Sequence, residues 1–147
     1  MSKINNSEKL IDSLNLCVVK ENCYIRTPEE AFNECLDLKN LPQECFVSFA
    51  LNSRNKMIER RIVSIGAVNQ TLAQPREIFR SAIIKNAVAI IVAHNHPSGD
   101  TTPSVEDIKI TKNLISAGQI VGIKVLDHII VGDTKLSFRE AGIAEFD

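Results

Sequence analysis

Residues 94–107 read HNHPSGDTTPSVED: two of the chain's three histidines one residue apart, a Pro-Ser-Gly turn, then Ser104 and Asp107 three residues apart. Side chains alternate across a strand, so His94 and His96 point to one side if the chain stays extended as far as Pro97. Two imidazoles side by side make half of a metal site. The turn from Pro97 to Pro103 can bring the next segment back toward them, and Asp107 could then supply an anionic third ligand. Two histidines, a carboxylate and one open position form the pattern of catalytic Zn2+, in which the metal lowers the pKa of a water to about 7. Ser104-Val-Glu-Asp107 also matches a capping box, which accounts for both residues without a metal. The sequence leaves both readings of that pair open. The histidines are harder to assign to packing, because an apolar strand that delivers His-Asn-His to a sharp turn has no need of two polar rings.

Competing motifs fit poorly. A zinc deaminase requires H-x-E and a later P-C-x-x-C, and an HExxH protease motif is also absent. The letters His-Asn-His share little more than a name with the HNH nucleases, whose motif residues are widely spread. His128 alternates with apolar neighbours in IKVLDHIIVG. It could complete a three-histidine site, or be a strand residue held in place by Asp127.

The elements that would position these groups are legible around them. Thr27-Pro-Glu-Glu30 has the form of a capping box with Pro at the first helical position, and Ala31, Phe32, Cys35 and Leu36 follow at helical spacing, predicting a helix over about 28–39. CFVSFAL (45–51) and MIERRIVSI (57–65) are strand-like runs joined at Asn52–Asn55, the pattern of a hairpin. Pro75 opens a second helix ending near Lys85. AVAIIVA (87–93) is a continuous apolar run of buried-strand length feeding straight into His94, and ligands of open α/β sheets gather at such carboxyl ends. Ser104 to Ala117 predicts a third helix closed by Gly118, residues 123–132 a further strand, and SFREAG (137–142) a short terminal helix. Helices interleaved with strands give one α/β domain around a mixed sheet.

A chain of 147 residues, 44% hydrophobic and 24% charged, suits one soluble domain with a real core. No apolar run reaches the length of a signal peptide or membrane span, so the cytoplasm is the expected compartment. Cys17, Cys23, Cys35 and Cys45 form no CxxC pair, which predicts reduced and mostly buried thiols. Charge is uneven: residues 52–86 hold seven Lys/Arg against two Asp/Glu. This basic block, Arg54, Lys56, Arg60, Arg61, Arg76, Arg80 and Lys85, is either a contact surface for an acidic partner or half of a set of internal ion pairs.

From His94, the spacing H-x-H, seven residues, Ser104, two residues, Asp107 resembles the JAMM (MPN+) metalloprotease signature. The surrounding text, PREIFRSAIIKNAVAIIVAHNHPSGDTTPSVEDIKITKNL followed by LDHIIVGD and SFREAG, resembles the RadC branch of that family from about Thr27 to Gly142. The resemblance divides the chain into an N-terminal extension, 1–26, and a RadC-like JAB/MPN+ domain, 27–147. It implies a three-layer, cytidine-deaminase-like α/β fold, a mixed β-sheet flanked by helices, with one zinc. His94, His96 and Asp107 match the family's metal ligands, and Ser104 matches the serine that hydrogen-bonds the attacking water or the oxyanion. The general base implied is a glutamate beside an early strand. Glu44 directly precedes CFVSFAL and is the better match, with Glu59, inside the second hairpin strand, as the alternative. The implied activity is zinc-dependent hydrolysis of a peptide or isopeptide bond in a protein or peptide substrate. RadC proteins carry a DNA-repair designation. Longer members have an N-terminal helix-hairpin-helix segment for which this chain has no room, leaving the block at 54–85 as the candidate nucleic-acid contact. A non-catalytic MPN-type interaction module and a metal-dependent phosphodiesterase are the alternative readings.

Overall fold

The computed structural model describes residues 16–66 and 74–146. A six-stranded mixed sheet runs in the order β1 (Cys17–Val18), β3 (Met57–Ile65), β2 (Cys45–Leu51), β4 (Ala89–Asn95), β5 (Lys124–Val131), β6 (Lys135–Ser137). The two strand-like runs pair as the expected hairpin β2–β3, and its turn has a local cause. The Asn52 side chain accepts hydrogen bonds from Arg54 N (2.9 Å) and Lys56 N (3.1 Å), while Asn55 takes the left-handed conformation at φ 61°, the turn chemistry expected of asparagine. Ahead of the hairpin, β1 pairs with β3 and Ile25 N donates to Asn55 O at 2.8 Å, so residues 17–25 line the same sheet edge.

The strand carrying the histidines lies in the middle. β4 is antiparallel to β2 and parallel to β5. A parallel pair needs a crossover, and α3 (Val105–Val121) supplies it. One face of the sheet, with Phe46, Ile90, Val92 and Ile130, packs under Ile78, Phe79 and Ala82 of α2 (Pro75–Ile84) and Leu114 and Ile115 of α3. Val47, Phe49, Ile91, Ala93 and Ile129 on the other face pack against Ala31 of α1 (Pro28–Asn33) together with Cys35 and Leu38. Burial from both sides explains why β4 reads as an unbroken apolar run rather than an alternation.

Three expectations are corrected. The first helix stops at Asn33 and continues as a 3-10 turn, Leu36–Leu38. Its last turn is taken over by the buried guanidinium of Arg60, which donates to Glu34 O at 2.9 Å and to both oxygens of Asp37 at 2.7 and 2.8 Å. The third helix runs to Val121 and is capped by Gly122 in the left-handed conformation (φ 78°), not by Gly118. Gly118 serves a different need: a Cβ there would lie 2.4 Å from Ile123 O, where the chain doubles back toward β5. Gly118→Ala is therefore expected to destabilise the fold by about 1–3 kcal/mol despite alanine's better helix propensity, measured by denaturant unfolding. Finally, residues 138–142 form turns rather than a terminal helix, because Ser137 is drawn into β6 and its hydroxyl donates to Asp127 Oδ2 at 2.5 Å.

Of the basic block, Arg60 is buried and the other six residues remain partly or fully exposed. Arg60, Arg61, Arg76 and Lys85 each pair with a carboxylate. Cys35 and Cys45 are buried, Cys23 is partly so and Cys17 is exposed; all four are free thiols. Burial pushes the Cys45 thiol up to about 11, so it behaves as an inert core group. No helix among the described residues is long and apolar enough to cross a membrane.

Candidate metal centre

β4 keeps its extended path beyond its last residue. His96 N donates to Val131 O at 2.9 Å, continuing the ladder with β5, and the rings of His94 and His96 consequently share one side with their Nε2 atoms 3.0 Å apart. A turn closed by Gly99 N donating to His96 O at 2.9 Å then sends the chain back. It delivers the N-terminus of α3 to the histidines. Asp107 Oδ1 lies 3.3 Å from His94 Nε2 and Asp107 Oδ2 3.1 Å from His96 Nε2.

Asp107 also caps its helix. Ser104 Oγ accepts from Asp107 N at 3.0 Å, and Asp107 Oδ2 accepts from Ser104 N at 2.9 Å. The capping box is thus the device that aims the carboxylate, and the two readings of Ser104-x-x-Asp107 are compatible. Asp107→Asn is expected to change stability by no more than about 1 kcal/mol, since an asparagine oxygen can still accept from Ser104 N. Zinc affinity should nevertheless fall by more than the roughly 10–100-fold typical of losing an outer-shell partner. Unfolding curves and chelator competition measure the two effects separately.

Glu44 enters from the strand next door. Residue 46 of β2 is paired with His94, so the residue two places before it reaches the same end of the sheet, and Glu44 Oε1 lies 3.9 Å from His96 Nε2. Its placement is held by Asn95, the middle residue of His-Asn-His. Fully buried on the opposite side of the strand, Asn95 accepts from Cys45 N at 2.6 Å and donates to Gln43 O at 3.0 Å, clasping the backbone on both sides of Glu44. Glu44, His94 and His96 form a group able to hold a metal ion, with ligand atoms all within 4.8 Å of one another. Glu59 is elsewhere: it pairs across from Ala50, four residues along β2 from Phe46, and contacts Arg61, Cys17 and Lys85. At a strand rise of about 3.3 Å per residue this end of the hairpin is roughly 13 Å from the histidines.

Electrostatics favour a cation at the junction. Burial opposes ionisation of Asp107, yet hydrogen bonds from His94 and His96 outweigh it and hold the carboxyl far below the usual range. The hydrogen bond to Asp107 is also the main cause that raises His96 above its ordinary value, against the effect of burial. His96 Nδ1 donates to the carbonyl of Asp100 at 2.8 Å, leaving Nε2 as the nitrogen that faces the carboxylate. Tetrahedral zinc at about 2.0–2.1 Å from each ligand sets neighbouring donor atoms roughly 3.3 Å apart. The edges His94–His96, His96–Asp107 and His94–Asp107, at 3.0, 3.1 and 3.3 Å, fit that spacing, whereas Glu44 at 3.9 Å stands outside it.

Behind His94 lies a feature that the sequence reading missed. His94 Nδ1 is 2.7 Å from His128 Nε2, His128 Nδ1 is 2.5 Å from Thr111 Oγ1, and Thr111 Oγ1 donates to Asp107 O at 2.7 Å. Asp127 touches only the backbone of His128, accepting from its N–H at 2.7 Å. The ring is held by Thr111 and His94 and stacks on Phe138. Burial, followed by the neighbouring His94, keeps the His128 pKa well below the ordinary histidine value. A histidine at the helix-facing side of a buried strand was the available signal. Thr111, four residues after Asp107 and therefore on the same face of α3, was its natural partner.

Residues 25–143 match the family model described as RadC-like JAB domain. A UPF0758 protein of Caldanaerobacter subterraneus subsp. tengcongensis is 42% identical over 99% of this chain and 63% of its own length. UPF0758 proteins of Bacillus velezensis and Desulforamulus reducens are 44% and 49% identical over 83% and 81% of the chain. The chain spans 54% and 53% of those two relatives. A strand that runs into His-Asn-His, a glutamate clasped beside it and a helix that turns Asp107 onto both rings are thus set in a domain matched over most of its length, and the chain belongs to the RadC-like JAB domain family.

Proposed function

We propose that the chain is a zinc-dependent hydrolase of the JAMM (MPN+) type that cleaves peptide or isopeptide bonds, with its domain, 27–147, layered as in cytidine deaminases. The observation that carries this reading is the triangle of His94 Nε2, His96 Nε2 and the Asp107 carboxylate, with edges of 3.0 to 3.3 Å and a second carboxylate, Glu44, just beyond it. His94, His96 and Asp107 would hold the ion. Zinc bound there supplies Lewis acidity, which polarises a carbonyl and acidifies water.

The remaining work falls to the chain's own residues. Glu44 accepts a proton from the attacking water as oxygen adds to the carbonyl carbon, then returns it to the departing amine nitrogen as the C–N bond breaks. Asn95 keeps Glu44 in reach by holding the backbone on either side. The Ser104 hydroxyl accepts the Asp107 N–H and keeps its own proton, which it can donate to the developing oxyanion. Side chains of Glu44, His96 and Asp107 remain 13–15% exposed, so water and an extended substrate can reach them.

The test compares zinc-loaded and chelator-stripped protein on a peptide library and on supercoiled plasmid. Zinc-dependent peptide cleavage with intact plasmid is the expected result. Nicked plasmid beside intact peptides would overturn the reading in favour of phosphodiester chemistry.

A further inference from the structure

We propose that the cleft between β3 and α2 is a binding site for a small phosphomonoester dianion, held by Arg61, Arg80 and Lys85. β2 separates this cleft from the strand that carries His94, and the proposal does not depend on the metal reading. The fold breaks up the basic block that is continuous in sequence. Arg60 turns to the α1 side of the sheet, where Asp37 holds it, and Arg54 lies in the hairpin turn. Arg61, the next residue along β3, points to the opposite side. There it faces one stripe of α2, on which Arg80 and Ile84 are four residues apart, as are Ser81 and Lys85 just past the helix end. Together with Val63 these side chains line a cavity of about 390 Å³.

The cations are set in place from behind. Glu59, 1% exposed, accepts from Arg61 Nε at 3.2 Å and from Cys17 Sγ at 3.2 Å, and it lies 3.9 Å from Lys85 Nζ. It engages Arg61 through Nε alone, which leaves both Nη groups for a ligand. Glu77 in the lining pairs with Arg76 at 3.6 Å, and Arg80 has no ion pair among the described residues. Four cations therefore meet two carboxylates, a surplus of two positive charges. A phosphomonoester carries a charge of about −1.5 to −2 near neutral pH and three strong acceptor oxygens. Both match the surplus and the forked N–H donors of two guanidinium groups, to which Ser81 adds a hydroxyl. The cavity is larger than a bare phosphate and falls in the range of small-molecule sites, about 300–1,000 Å³. Val63 and Ile84 offer apolar surface to the organic part of the ligand. A nucleic-acid backbone needs cations along a track, and Arg54 and Arg60 do not extend this cluster into one.

The test titrates metal-free protein with ribose phosphate, with ribose and with unphosphorylated oligothymidine at one ionic strength, following backbone amides by NMR. Ribose phosphate is expected to bind saturably and to shift the amides of Arg61, Val63, Arg80 and Ser81. Ribose should cause no shifts, and oligothymidine should bind more weakly than the monoester. Arg80→Ala, which has no ion pair to lose, should weaken binding by about 10-fold or more, the worth of a charge-assisted contact. Lys85→Ala should weaken it as well, and Arg54→Ala, at the hairpin turn, should leave it unchanged. Circular dichroism checks that each variant is folded. Absence of saturable shifts, shifts centred on His94 and His96, equal binding of ribose, or an equal loss in Arg54→Ala would each overturn the site. Tighter binding of oligothymidine would overturn the monoester reading in favour of a nucleic-acid surface.

Discussion

Glu44→Gln is expected to leave zinc bound and to lower hydrolysis by about 10²–10⁴-fold, the usual worth of a positioned general base. Glu44 Oε1 lies 3.9 Å from His96 Nε2, outside the spacing of adjacent zinc ligands but close enough to take a proton from a water at the site's open side. Glutamine keeps the shape and cannot take the proton. Metal content measured beside turnover separates the roles: loss of zinc in Glu44→Gln would make Glu44 a ligand instead of a base. Glu59→Gln is the matched control, because that carboxylate is buried among Arg61, Cys17 and Lys85 at the far end of the same hairpin. It should cost about 1–3 kcal/mol of stability through weakened ion pairs and leave turnover intact. If Glu59→Gln abolished activity and Glu44→Gln spared it, the site would have to be rebuilt around β3.

The second large effect concerns the histidines. His96→Ala is expected to abolish zinc binding while the domain stays folded, since His96 is only partly buried and its ring contacts lie at the mouth of the site. His94→Ala should abolish binding too, with an added loss of stability of about 1–3 kcal/mol. That residue is 4% exposed, its ring stacks on Phe46, and its removal leaves His128 Nε2 without its hydrogen-bond partner. Near-native unfolding midpoints with no zinc uptake would mark a functional metal site on a preformed core. Wholesale unfolding of His96→Ala would mark a structural one.

The pairing of His94 with His96 was legible from the sequence because strand alternation is a local rule, and an apolar run ending in His-Asn-His obeys it. The hairpin and the helix opened by Ser104 were legible for the same reason. Where local signals competed, tertiary contacts decided. Two glycines four residues apart could each close α3, and only the approach of Ile123 to Gly118 tells which is packed and which is the cap. The first helix loses its last turn to Arg60, a residue more than twenty positions away. SFREAG has helical letters, but Ser137 is claimed by Asp127 on the neighbouring strand. Asn95 and Thr111 carried no motif at all: their roles appear only when β2 and α3 are laid beside β4. Ser104 and Asp107 posed a choice between cap and ligand; the fold shows the cap and brings the same carboxylate to 3.1 Å from His96 Nε2, so the one role does not exclude the other.

Zinc content of the full chain, purified without a chelating column, combined with zinc K-edge X-ray absorption, tests the central claim most directly. The account predicts about one zinc per chain, with nitrogen and oxygen neighbours near 2.0–2.1 Å, two of them imidazoles. A protein that holds no zinc and cannot be loaded would contradict it, as would sulfur scattering near 2.3 Å, which would place the metal on the cysteines instead of on His94, His96 and Asp107.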